Sequence, residues 1–258
     1  MNIGIEICLN GIESAMAAQQ GGATRVELCD NLMEGGTTPS QGMVAMVADT
    51  LDIDVMAMIR PRGGDFLYSN MEFAVMERNV KMMHQHGIMG VVFGMLHPDG
   101  RIDRERTRRL IELARPMQVT FHRAFDMARD PYEALDDLLD LGVDRLLTSG
   151  QELNAMRGLG LIAELQKRAG DDLIVMPAVE VTVENARHIV EVARVHEIHV
   201  GSNVERWIPT GMQYQNPRVS MGDDFELPEF AMPVTSAELV RQIVDVINRD
   251  SHDPQKIG

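Results

Sequence analysis

The sequence predicts an α/β protein, a single closed (β/α)8 or TIM barrel, and three observations carry that reading. Eight short aliphatic runs recur along the chain, alternating with amphipathic stretches of helical spacing. Hairpin signals between the runs are scarce, so consecutive strands read as parallel and joined by right-handed helical crossovers. The length, 258 residues, matches the roughly 250 that one such barrel commonly uses.

The first strand, over residues 3–8, contains Ile5-Glu6-Ile7-Cys8, and the second, over 25–29, repeats the pattern as Val26-Glu27-Leu28-Cys29. Successive side chains in a strand point to opposite faces, so Ile5, Ile7, Val26 and Leu28 should pack under helices while the glutamates and cysteines face the interior. A helix over 13–20 joins the two. Thr38-Pro39 pairs an N-cap residue with a proline at the first helical position, which starts the next helix. The third strand, 55–60, brings Met56 and Met58 to core positions and ends at Arg60. A helix over 71–86 leads to the fourth strand, 90–95, and a helix over 104–114 to the fifth, 118–122, which ends in Thr120-Phe121-His122. Asp130-Pro131 repeats the cap-plus-proline signal ahead of a helix over 131–141 and the sixth strand, 144–149. Helices over 155–169 and 183–195 then flank the seventh strand, 173–178, and the eighth strand, 197–201, completes the alternation.

The period breaks once. Between Asn203 and Pro233 lie Pro209, Pro217, Pro228 and the only tryptophan, Trp207, in a stretch too long for a plain strand-to-helix connection. Residues 203–235 therefore read as an irregular arm, lid or interface inserted between the eighth strand and the last helix, 236–248. One domain is expected over 1–250, followed by a polar tail over 251–258.

Composition narrows the function. A formal charge of −15 argues against a nucleic-acid partner, whose affinity rests on clustered lysine and arginine. The N-terminus lacks the basic flank and apolar core of a signal peptide, and no apolar run of about 18 residues could span a bilayer. A cytoplasmic protein with no membrane partner is expected. In that reducing compartment its two cysteines read as free thiols, catalytic groups or ligands.

Chemistry in such barrels sits at the C-terminal mouth. Strand ends placed there give an inward polar set of Glu6, Cys8, Glu27, Cys29, Arg60, Thr120, His122, Thr148 and His199. Glu6 and Glu27 could do acid–base work or hold a hard metal with His122 and His199, or they could be neutralised by Arg25, Arg60 and Arg123. Loops with glycine-exposed amides beside hydroxyls or guanidinium groups suit an anion, with Arg60, Arg62, Gly63, Gly64, Thr148 and Ser149 as its contacts. Lys81, Lys167 and Lys256 fall on helices or the tail, which excludes a Schiff-base aldolase. Most of the twenty methionines are expected on core faces. In Met82-Met83-His84-Gln85-His86 the two histidines point about 200° apart on a helix, so the run reads as a surface helix end.

Several long runs resemble the CutC family over roughly residues 3–202: Arg25-Val26-Glu27-Leu28-Cys29, Glu34-Gly35-Gly36 with Thr38-Pro39-Ser40, Ile59-Arg60-Pro61-Arg62-Gly63-Gly64-Asp65-Phe66, Val119-Thr120-Phe121-His122-Arg123-Ala124-Phe125-Asp126, and Leu147-Thr148-Ser149-Gly150. The resemblance implies a TIM barrel, a cytoplasmic location and a copper(I) site to which Cys8 and Cys29 contribute, thiolates being soft ligands suited to that ion. Two strand ends depart from the family pattern, Met176-Pro177-Ala178-Val179-Glu180-Val181 and the Val200-Gly201-Ser202-Asn203 that follows His199. Those ends hold a phosphate in many barrels, and the departures weaken the case for one there. Two functions follow. One is a cytoplasmic copper(I)-binding protein of copper homeostasis. The other is an enzyme on a small anionic or phosphorylated substrate, with Glu27 or His122 as general acid or base and Arg60 and Arg62 clamping the anion. Either could act as a homo-oligomer.

Overall fold

Eight parallel strands follow one another around a barrel in the computed structural model, which describes residues 3–214, 216, 218–219 and 228–248. In chain order they are β1 (Gly4–Leu9), β2 (Arg25–Leu28), β3 (Asp54–Met58), β4 (Gly90–Phe93), β5 (Gln118–Phe121), β6 (Arg145–Thr148), β7 (Ile174–Pro177) and β8 (Glu197–Val200). Hydrogen-bonded neighbours run β7-β6-β5-β4-β3-β2-β1-β8, and β7 comes beside β8 where the ring closes. Helices α1 (Ile12–Gly21), α2 (Gln41–Thr50), α3 (Asn70–His84), α4 (Arg104–Ala114), α5 (Pro131–Leu141), α6 (Leu159–Ala169), α7 (Ala186–Ala193) and α8 (Ala237–Asn248) form the outer layer. The strands are short and apolar on their outer faces because each must bury that face under helices. Ile5, Ile7, Val26, Leu28, Phe121 and Val200 all join the continuous core between strands and helices. Each such side chain contributes roughly 1.5–3 kcal/mol.

Local signals set the helix ends. Asp130 caps α5 by accepting from the amides of Tyr132 and Glu133, with Pro131 at the first helical position. Ser69 and Glu72 form a capping box on α3. The Thr38-Pro39 expectation is corrected: Ser40 caps α2 through the Met43 amide. Thr38 instead accepts from the Arg60 amide at 2.9 Å and donates its own amide to the Arg60 carbonyl at 2.9 Å, pinning its loop to the end of the third strand.

The inserted segment is more regular than its prolines suggest. Its ends pair as an antiparallel ribbon, β9 (Glu205–Pro209) with β10 (Ala231–Thr235), with Trp207 opposite Pro233. Both strands of a two-stranded ribbon are edges, so proline's missing amide costs no interior ladder bond. The tail over 251–258 lies outside the described residues. Methionine placement also differs from expectation. Met56 and Met58 are buried, but Met16, Met33, Met46, Met71 and Met127 are more than half exposed, since an unbranched thioether is tolerated on helix faces and loops as well as in the core.

The barrel's interior is polar toward its N-terminal end. Register places Glu6 beside both Arg25 and His199. Arg25 donates Nε to Glu6 Oε2 at 2.5 Å and Nη2 to Glu197; Arg145 donates Nε to Glu197 at 2.8 Å and Nη1 to Gln118. Met176 Sδ lies 3.4 Å from Arg25 across the barrel. This network plugs the interior below the mouth, and it uses only one of the two glutamates of the repeated motif.

Candidate metal centre

Above the plug, β1, β2 and β8 bring Cys8, Glu27 and His199 together. Their ligating atoms, the Cys8 sulfur, a Glu27 oxygen and a His199 ring nitrogen, lie within 4.8 Å of one another. Strand alternation is the cause, since Cys8 is in register with Glu27 and Glu6 with His199. Cys29, just past the end of β2, joins from above with its Sγ 3.9 Å from Cys8 Sγ, and donates to Glu27 Oε2 at 3.6 Å. Both thiols are free; Cys29 is buried and Cys8 partly accessible. Met56, Met58 and Val92 pack around Cys29 as an apolar wall. Gly36 closes the loop over it at φ +85°, where a Cβ would stand 3.0 Å from Cys29 Sγ.

His199 is oriented from below, its Nδ1 donating to Glu6 Oε1 at 2.8 Å and its Nε2 lying 3.8 Å from Glu27 Oε2. Burial works against its positive charge, yet Glu27, Cys8 and Glu6 raise its pKa well above the ordinary value. Burial would raise Glu6, but Arg25 and His199 hold it at about 2. The Cys29 hydrogen bond, with help from His199, lowers Cys8 to about 5, while the same contact and burial push Cys29 well up. Burial likewise lifts Glu27 well above the usual carboxylate range, and its Oε1 is buried with no partner. The centre therefore offers one thiolate, one thiol, a protonated imidazole ring and a carboxyl group that is not paired with arginine.

The other expected residues fall into separate arrangements. His122 is not in the Cys8–Glu27–His199 group, so the alternative hard-metal set of Glu6, Glu27, His122 and His199 does not assemble among the described residues. Glu6 is already committed to Arg25 and His199. Arg123 pairs with Asp126 at the rim rather than inside the barrel. The inward placement expected for Thr148 is corrected: alternation puts Leu147 inside with Met176 and Ala178 and turns Thr148 away. The loop after β6 does collect donors around an anion, namely the chain's own Asp126. That carboxylate accepts from Thr148 Oγ1 at 2.5 Å, the Ser149 amide and hydroxyl, the Gln151 amide and Arg123 Nε. Thr148 and Ser149 are therefore already occupied. Asp126 ends the run from Val119 to Asp126, but nothing local in that run shows that it reaches the next strand's loop.

Arg62 is likewise taken up, by Glu72, Asp65 and the carbonyls of Gly63, Asp65 and Leu67. Gly63 lies against the Glu34 carboxylate, where a Cβ would come within 2.3 Å of Oε2. Gly64 gives its carbonyl to Arg60. Consecutive non-glycine residues after β7, Val179 and Glu180, take left-handed φ of 75° and 54°.

No helix among the described residues is long and apolar enough to cross a membrane. The profile of the CutC family matches residues 3–204. The copper homeostasis protein cutC homolog of Mus musculus is 44% identical over 239 residues, 93% of this chain and 87% of the relative. A family protein CutC from Chromobacterium violaceum is 45% identical, covering 95% of this chain and 98% of the relative. The solved structure of the CutC protein of Streptococcus agalactiae superposes with a TM-score of 0.74 at 31% identity, covering 77% of this chain and 98% of that one. A phosphoribosylanthranilate isomerase from Pyrococcus furiosus, at 14% identity and TM-score 0.57 over 95% of this chain and 98% of that one, shares the barrel fold alone.

Proposed function

The chain belongs to the CutC family, and from that premise we propose that it is a cytoplasmic copper(I)-binding protein of copper homeostasis that carries the ion on Cys8 and Cys29. The observation that carries the proposal is the 3.9 Å separation of two free sulfurs in the mouth of the barrel. Two thiolates at that spacing suit one ion with metal–sulfur bonds of about 2.3 Å, the length known for zinc thiolates. Thiolates select copper(I) over hard cations, and the His199 imidazole is compatible with copper as a third donor.

The surroundings support cargo binding. Ligating cysteines must be deprotonated. Cys8, held at about 5, is a thiolate at neutral pH, so of the two thiols only Cys29 has a proton to lose, and His199, whose pKa is raised, must also release its proton to serve as the third donor. The apolar wall of Met56, Met58 and Val92 keeps water from the buried sulfur. Free thiols in this arrangement fit a reducing compartment.

Titration with copper(I) against a competing chelator tests the assignment. About one equivalent is expected in the native protein and none in the Cys8→Ser, Cys29→Ser double variant. Equal stoichiometry in the two proteins removes the thiol site.

A further inference from the structure

Beside the thiols, the ends of β3 and β5 and the loop after β3 gather buried polar atoms that copper binding does not use. Arg60 is 4% exposed. Its Nη1 donates to the carbonyls of Glu34 and Gly36 at 2.7 and 2.9 Å and its Nη2 to that of Gly64 at 2.8 Å. Among the described residues no carboxylate pairs with Arg60, and its Nε has no partner. The guanidinium lies 5.1 Å from the centre of the Phe66 ring, and that ring lies 4.9 Å from the His122 imidazole. His122 Nδ1 accepts from the Ala124 amide at 3.2 Å, which leaves the ring proton on Nε2, buried and unpartnered. Tyr68, also 4% exposed, comes from the same loop as Phe66; its hydroxyl interacts with the Arg60 guanidinium but completes no well-formed hydrogen bond. Gly94, at the end of the intervening strand, leaves room for the imidazole, since a Cβ there would stand 2.5 Å from His122 Nδ1.

A buried cation without an anion is among the costlier arrangements in a protein, and every unpartnered buried donor adds to it. Native structures keep such groups only for a reason. Here Arg60 links the other two donors, lying beside the Tyr68 hydroxyl and reaching His122 across the Phe66 ring, and among the described residues no carboxylate pairs with it. Arg62, Thr148 and Ser149, by contrast, already have their anions within the chain.

We propose that Arg60 Nε, His122 Nε2 and the Tyr68 hydroxyl form a binding site for one small oxyanion group, a carboxylate or a phosphate. No cysteine contributes, so the site stands whether or not the thiols carry copper. The oxyanion neutralises Arg60, fills the donor valences of His122 and Tyr68, and lies against the Phe66 ring.

The test uses the metal-free full chain, with inorganic phosphate and acetate as separate probes against chloride at matched ionic strength. One or both probes should raise the melting temperature by mass action on the native state and shift the Nε2 resonance of His122 in nitrogen-15 histidine spectra. Stabilisation by phosphate alone identifies a phosphate ligand, and by acetate alone a carboxylate. Arg60 ties its loop to three carbonyls, so Tyr68→Phe is the cleaner variant. It removes a hydroxyl that completes no well-formed hydrogen bond and should leave the free protein at least as stable as the wild type. Losing one hydrogen bond to a charged ligand should weaken the anion about tenfold or more. Three results each overturn the proposal: no stabilisation by either probe, equal stabilisation of wild type and Tyr68→Phe, or a free Tyr68→Phe protein that melts below the wild type.

Discussion

His199 donates its Nδ1 proton to Glu6 at 2.8 Å, and the other oxygen of that carboxylate holds Arg25 at 2.5 Å. The pair fixes both the tautomer and the direction of the imidazole, leaving Nε2 to face the Glu27 and Cys8 side. Outer partners of this kind typically contribute 10–100-fold in metal affinity. Glu6→Gln should therefore weaken copper(I) binding by about that factor with unchanged stoichiometry, measured by chelator competition. Unaltered affinity would show that His199 is not a ligand.

Arg25 neutralises two carboxylates at once, Glu6 and Glu197, and all three side chains are buried or nearly so. Removing one partner of a buried pair leaves an uncompensated charge and costs about 3–5 kcal/mol. Arg25→Met should lower stability by that amount in urea unfolding, with the melting temperature falling about 2–4 °C per kcal/mol for a chain of this size. A loss below about 1 kcal/mol would mean that the carboxylates find other partners.

Acid sensitivity should trace to His122. Burial and the nearby Arg60 hold its pKa at about 3, against an ordinary 6.5. The unfolded chain binds a proton that the folded chain refuses, so the contribution is complete above pH 6.5 and is lost as pH falls from there toward 3. Between about pH 6 and 5 the His122 share of the stability should drop with a slope approaching about 1.4 kcal/mol per pH unit. His199 adds little there, because its pKa is raised. Cys8, held at about 5, and Glu27, lifted well above the carboxylate range, also contribute across the interval with opposite signs, so the His122 share is read as the difference between wild type and His122→Gln. His122→Gln should flatten the acid slope in denaturant melts across that interval, and an unchanged slope would assign it elsewhere.

Gly36 holds the loop over Cys29 in a left-handed conformation, and a Cβ added there would stand 3.0 Å from the sulfur. Gly36→Ala should destabilise the fold by about 1–2 kcal/mol through backbone strain alone. It should also weaken copper(I) binding, because Cys29 must give way. A stable variant with native affinity would show that the loop moves freely over the thiol.

The strand–helix repeat, the burial of the aliphatic positions and the inward direction of both Glu-x-Cys pairs were legible because alternation and helical period act within a few residues. Thr148 shows the limit of that reading, since a one-residue difference in where a strand is counted reverses the face. The loops after β3 and β6 looked alike as anion sites. Asp126 fills the donors of the second loop and Glu72 takes up Arg62 of the first, each from another element, and no local pattern announces either contact. The hairpin between β9 and β10 was hidden by prolines, which a two-stranded edge ribbon tolerates.

By itself, the sequence determined that two glutamates and two cysteines enter one barrel interior on adjacent strands, because side-chain alternation is a local property of the backbone. Only the tertiary structure decided how they divide. The stagger between strands sets Glu6 level with Arg25 and His199 and sets Cys8 level with Glu27, so one carboxylate goes to the ionic plug and the other to the thiols. The same closure sets Arg60 and His122 on either side of contacts with Phe66, each with a ring or guanidinium nitrogen that has no partner. Those outcomes depend on which distant strand stands opposite at which height, and that register is fixed only when the whole ring closes.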